Sequence, residues 1–136
     1  MVSHAAESIL MQTVLFVCPH GAGMSRIAAA YFNLLAPEGW QAISAGLEPQ
    51  SELGTNAPRL LAGTPAEAYL DREPPRPVDA VPLPVRTVGI RCDVAGAARW
   101  ELAERAFTDD MRDEIHRRVA RLVAECAGDN QVSARS

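Results

Sequence analysis

The run Thr13-Val14-Leu15-Phe16-Val17 is apolar and β-favouring without a polar break, and it ends in Cys18. Such a run reads as a strand buried on both faces, which is a property of parallel sheets rather than of half-solvated antiparallel ones. The loop Pro19-His20-Gly21-Ala22-Gly23 follows at once. Next come Ser25 to Leu35, in which Ile27, Ala30, Tyr31, Leu34 and Leu35 recur at helical spacing before Pro37 and Gly39 close the segment. Strand, glycine loop and helix in that order, with Gln41 to Ala45 returning as a second strand, make a βαβ opening. This unit commits the chain to a parallel sheet with helices packed on it.

The rest of the chain fills out such a domain. Gly46 to Pro49 turns toward a short helix around Pro58 to Leu61. Six prolines, Pro65, Pro74, Pro75, Pro77, Pro82 and Pro84, exclude a long helix between Thr64 and Pro84, so irregular structure is expected there. Val85 to Ile90 reads as a third strand that delivers Cys92 to its carboxyl end, and Val94 to Arg105 as a loop with at most a short helix carrying Trp100. Thr108 is a candidate N-cap, with Asp109 and Asp110 at the positive end of a final helix. Phe107, Met111, Ile115, Val119, Leu122 and Cys126 form its apolar stripe. The expected architecture is a three-layer α/β/α domain with a parallel sheet of about four strands. Residues 13–127 form the single domain, 1–12 an N-terminal extension and 128–136 a flexible tail.

At 136 residues and 48% apolar composition the chain suits one domain with its own core. No stretch approaches the roughly 18–20 apolar residues of a membrane span, and Met1 to Gln12 lack the pattern of a secretory leader, so a cytoplasmic protein is expected. A formal charge of −4 provides no general field for nucleic acid or an anionic membrane, and neither is expected as a partner. All 13 basic residues are Arg, and no GK[ST] follows a glycine, which excludes a P-loop nucleotidase. Cys18, Cys92 and Cys126 are widely spaced, with no CxxC and no Cys/His pairing that resembles a zinc site. Reduced thiols, no metal and no cofactor are the expectation.

The loop after the first strand is the candidate site. Its backbone N–H groups and the positive end of the helix dipole face whatever sits above it, so the geometry suits an anion. Gly21 and Gly23 let the backbone curl close to a ligand, and Cys18 sits at the lip, where the same dipole favours a thiolate. Position alone equally allows Cys18 to be a small buried residue at a strand end. Gly21-Ala22-Gly23 also half-matches a dinucleotide-binding fingerprint, with Glu48 near the end of the second strand. That reading places Arg26 at the third glycine and leaves Cys18 and Ser25 unexplained.

The segment Val14-Leu15-Phe16-Val17-Cys18-Pro19-His20-Gly21-Ala22-Gly23-Met24-Ser25 resembles the phosphate loop of low-molecular-weight protein tyrosine phosphatases and of thioredoxin-coupled arsenate reductases. Ser44-Ala45-Gly46-Leu47-Glu48-Pro49 is similar to the family's SAGTEP segment. Trp100-Glu101-Leu102 resembles the region before its acid loop, and Arg112-Asp113-Glu114-Ile115 with Arg117-Arg118-Val119 its last helix. The resemblance implies that Cys18 is the nucleophile, that Ser25 hydrogen-bonds its thiolate, and that Pro19, His20, Gly21, Ala22, Gly23 and Met24 line an oxyanion site for phosphate, arsenate or a phosphorylated ligand.

The departures from the family pattern bear on function. Its loop Arg, a planar fork of donors around the oxyanion, is Met24 here. Arg26 lies about 200° further around the helix and is expected to point elsewhere. The family's loop Asn is Gly21, which keeps access to left-handed φ. His20 matches the reductase version of the loop, although a solvated loop histidine is the simpler reading. Where the family has an Asp-Pro acid, this chain has Ala103-Glu104-Arg105. Glu104 has the chemistry of a general acid, but a Glu in such a run is ordinarily only a solvated face. Cys92 falls where the reductase branch has its first redox thiol, and the second is missing, which argues against a three-thiol relay. The expected function is weak or altered cysteine-dependent chemistry on an oxyanion, or its non-catalytic binding.

Overall fold

The computed structural model describes residues 11–135. Four strands, β1 (Gln12–Cys18), β2 (Trp40–Gly46), β3 (Arg86–Ile90) and β4 (Ala98–Trp100), form one sheet in the order β2-β1-β3-β4. All neighbours are parallel. Three helices complete the domain: α1 (Met24–Leu35), α2 (Asn56–Leu61) and α3 (Asp109–Arg135). No helix among the described residues is long and apolar enough to cross a membrane.

The unbroken apolar run accounts for the place of β1. Val14, Phe16 and Cys18 face a large core shared with α1, α2 and α3, while Leu15 and Val17 face a smaller one with Ala45, Val81 and Cys92. Only a strand apolar on both sides suits the middle of a sheet covered on both faces. The second covering layer is thin, made of a 3-10 turn at Val78–Ala80 and the chain around Cys92 and Val94. The proline-rich stretch is irregular as expected, apart from this turn and another at Pro65–Tyr69.

The expected short helix around Trp100 is instead β4, whose residues pair in register with Val88, Gly89 and Ile90. Three residues carry too little periodicity for strand and helix to be told apart from sequence. Thr108 caps α3, its Oγ1 accepting from the Met111 N–H at 3.3 Å. Phe107, assigned above to the helical stripe, precedes the helix. Beyond Gly128 no residue of the helix breaks its backbone, and α3 runs to Arg135 through most of the expected tail. The expected extension lies outside the described residues apart from Met11 and Gln12.

The sheet order turns at β1: the chain leaves it for β2 on one side and returns to β3 on the other. Loops from neighbouring strands diverge at such a point, leaving a crevice beyond the carboxyl ends. Cys18 stands at that end, paired in register with Gly46.

Candidate active site

The five loop residues between β1 and α1 are held almost entirely through their carbonyls. The N–H of Leu47 donates to Cys18 O at 3.2 Å, that of Glu48 to Pro19 O at 2.9 Å and that of Gln50 to His20 O at 3.3 Å. Arg26 Nε donates to Gly21 O at 2.9 Å, and the Ile27 N–H to Gly23 O at 3.0 Å. In a trans peptide each C=O points opposite to the following N–H, and the described residues contain no cis bond. Carbonyls tied outward therefore turn the N–H groups of His20, Gly21, Ala22 and Met24 toward the inside of the loop. Those at the start of α1 also lack intrahelical acceptors.

The Ser44–Pro49 block is thereby explained, since residues following Gly46 donate the hydrogen bonds that orient the loop. The approach is close. A Cβ on Gly46 would lie 2.5 Å from His20 C, and one on Gly21 would lie 2.7 Å from Gly46 N. Gly21 also has φ of +69°, a left-handed conformation that glycine adopts without strain.

Cys18 and Ser25 come together as the sequence expects, with Cys18 Sγ and Ser25 Oγ 3.1 Å apart and both residues buried. Above them is a cavity of about 300 Å3 lined by Cys18, Pro19, His20, Ala22, Gly23, Met24, Gln50, Gly54, Asn56 and Phe107. Six of the eight expected loop residues are among these. Gly21 packs against β2 instead, and Ser25 supports the thiol from within the fold. His20 places Nδ1 3.2 Å from Glu48 O and is exposed.

Met24 is nearly buried, and its side chain shares the main core while lining the cavity. No Arg or Lys lines that cavity. Arg26 is 1% exposed and reaches beneath the loop, away from the cavity. Glu104 is half-buried and does not line the cavity.

Cys92 is buried on the other face of the sheet, where its thiol donates to Val17 O at 3.5 Å. Burial, and then the proximity of Cys18, push the Cys92 thiol above its ordinary pKa. Cys126 is fully buried in α3, and burial pushes its thiol up as well. All three cysteines are free.

Four lining residues were not singled out as site residues from sequence: Gln50, Gly54, Asn56 and Phe107. Arg59 Nη2 fixes Phe107 by donating to its carbonyl at 2.9 Å. The Phe107 ring closes on Gly23, where a Cβ would lie 2.7 Å from Cζ. The second glycine of the loop thus marks a ring passing overhead, a signal that gives no hint of which ring.

A cysteine at the carboxyl end of a central parallel strand, followed by a glycine loop with inward N–H groups and a helix N-terminus, is the arrangement that the sequence resemblance implies. No family model matches the chain, and neither does any curated protein. Solved structures do. An arsenate reductase from Archaeoglobus fulgidus is 34% identical, with a TM-score of 0.67, over 82% of this chain and 98% of that one. A thioredoxin-dependent arsenate reductase from Corynebacterium glutamicum is 24% identical, with a TM-score of 0.68, over 91% of this chain and 66% of that one. A low-molecular-weight protein tyrosine phosphatase from T. tengcongensis is 14% identical, with a TM-score of 0.64, over 84% and 99%. This chain belongs to the superfamily of arsenate reductases and low-molecular-weight protein tyrosine phosphatases.

Proposed function

We propose that the chain binds a tetrahedral oxyanion, phosphate or arsenate, free or on a phosphorylated ligand, inside the loop Cys18–Ser25 and carries out weak or altered cysteine-dependent chemistry on it. The observation that carries this reading is the outward tying of the Pro19, His20, Gly21 and Gly23 carbonyls, which turns four N–H groups inward around the position above Cys18 Sγ. Preorganised N–H donors stabilise developing negative charge without reorganising during reaction.

On a phosphate ester, the Cys18 thiolate attacks phosphorus, an S–P bond forms, and the P–O bond to the leaving group breaks. Ser25 Oγ stabilises the thiolate released when water later cleaves the S–P bond. Two parts are weak. Met24 offers no donor or charge, and losing a clamp of this type costs on the order of 10² or more in rate. No carboxylate lines the cavity to protonate the leaving group, so esters of good leaving groups react best. Glu104 serves as acid only if the stretch carrying it moves toward the cavity. Cys92, buried with its thiol proton retained, is a slow partner for any oxidation passed on from Cys18.

The same two features favour a second reading, a non-catalytic protein that holds the oxyanion or a phosphorylated partner. Both readings require binding at the loop. Titration with phosphate, sulfate and arsenate, followed by amide NMR, is expected to shift the Gly21, Ala22 and Met24 signals at millimolar anion. The absence of shifts at those concentrations overturns both.

A further inference from the structure

Among the described residues Arg26 is the largest fully buried side chain, and it is charged. Burial lowers the pKa of its guanidinium, Asp71 partly opposing, yet an arginine remains protonated at neutral pH. Its contacts are specific. Nε donates to Gly21 O at 2.9 Å, Nη1 donates to the backbone O of Asp71 at 2.6 Å, and Nη1 lies 3.4 Å from Asp71 Oδ1. Nη2 is buried without a partner among the described residues, so the charge is incompletely compensated where it sits.

Asp71 is shared. Its Oδ2 also pairs with Arg76 Nη2 at 2.7 Å, and Arg76 Nη1 donates to Ser44 O at 2.8 Å. Arg76 O accepts the Gly46 N–H at 2.9 Å. Burial pushes the Asp71 carboxyl up, but the Glu73 N–H, Arg76 and Arg26 outweigh it and hold it below its ordinary value. Two guanidiniums thus share one close carboxylate, with the exposed Glu73 further off.

We propose that Arg26 is the positioning residue of the anion site and supplies, from beneath the loop, the positive charge that position 24 lacks. This rests on the oxyanion reading above. A charge-assisted hydrogen bond to Gly21 O polarises the Gly21–Ala22 peptide, so the Ala22 N–H on the opposite side becomes a stronger donor toward the cavity. The guanidinium also adds its own field at short range in a poorly screened interior. Asp71 sets how much of that charge the loop feels. The role of the proline-rich stretch follows: Pro74, Pro75 and Pro77 stiffen the segment that carries Asp71 and Arg76 to the loop and to Gly46.

Asp71→Asn separates charge from bracing, because Arg26 bonds the backbone oxygen of residue 71, which the substitution keeps. The dissociation constant for inorganic phosphate, read from loop amide shifts in the intact chain, is expected to rise about tenfold in Arg26→Met. It should remain within about threefold of wild type in Arg26→Lys and fall about two- to threefold in Asp71→Asn. Thermal unfolding of each variant is recorded alongside. Wild-type binding with no change in Arg26→Met, or with Arg26→Lys as weak as Arg26→Met, overturns the proposal and leaves the oxyanion reading standing. If Arg26→Met does not fold, weaker binding by Asp71→Asn overturns it, since bracing alone then accounts for the network. A wild-type chain that does not bind phosphate sinks the oxyanion reading and this proposal together.

Discussion

Two stretches of chain border the cavity at Cys18, the loop 19–25 and residues 100–107 through Phe107, and they differ in how much holds them in place. In the loop the direction of individual carbonyls is fixed by hydrogen bonds, while Met24 brings it neither donor nor charge. The second stretch keeps its place in the fold through Trp100, Leu102 and Phe107, yet puts an aromatic ring over the cavity and no carboxylate. Backbone geometry here depends on many residues: the glycine approach at 46, three amides after β2 and Arg26 beneath. Side-chain chemistry depends on one residue at a time, so a single substitution removes it while the scaffold stands.

The largest effect is expected from disturbing the loop's backbone supports. Gly46→Ala sets a Cβ 2.5 Å from His20 C, a backbone atom with nowhere to move. Urea unfolding is expected to show a loss of about 3 kcal/mol, the upper end for overpacking, with loss of phosphate-induced amide shifts. A variant as stable as wild type that still binds phosphate would show that the close approach does not hold the loop.

A smaller effect sharpens the contrast between thiols. Cys18 lines the cavity, whereas Cys92 and Cys126 are held protonated by burial. Peptide mapping after iodoacetamide at neutral pH is expected to find Cys18 modified at least tenfold faster than either, because the thiolate is the reactive form. Equal labelling, or Cys92 first, contradicts the assignment. The same burial has a consequence in alkali. A thiol whose pKa is raised on folding contributes stability that is complete below its unfolded value, about 8.5, and is lost as pH rises through the folded value. Cys126→Val should therefore flatten the fall in melting temperature above about pH 8.5.

Much of this is legible in the sequence. The double-faced run at 13–17 specifies a central parallel strand, and the glycine at 21 a backbone free to curl with positive φ, as it does at +69°, whereas its near-contact with Gly46 has no local signal. What escaped the sequence was distant in the chain. Phe107 closes on Gly23 across 84 positions, and nothing local distinguishes it from the first apolar residue of a helical stripe. Helical spacing turned Arg26 away from the cavity, and it does lie beneath the loop. Its partners at 21 and 71 come from a turn and a proline-rich stretch that have no periodicity to extrapolate. Glu104 sits at the expected offset, but offset along a chain does not set where an irregular segment points.

On the function proposed above, Met24 is what separates the loop from efficient turnover. This is tested most directly by hydrolysis of an aryl phosphate with a good leaving group, comparing wild type, Met24→Arg, and Met24→Arg combined with Cys18→Ser. Very low activity is expected in the wild type, with a gain of about tenfold or more on introducing the guanidinium and loss of that gain with the thiol. Wild-type turnover at the roughly 10 s⁻¹ typical of enzymes, or a gain that survives Cys18→Ser, would contradict this.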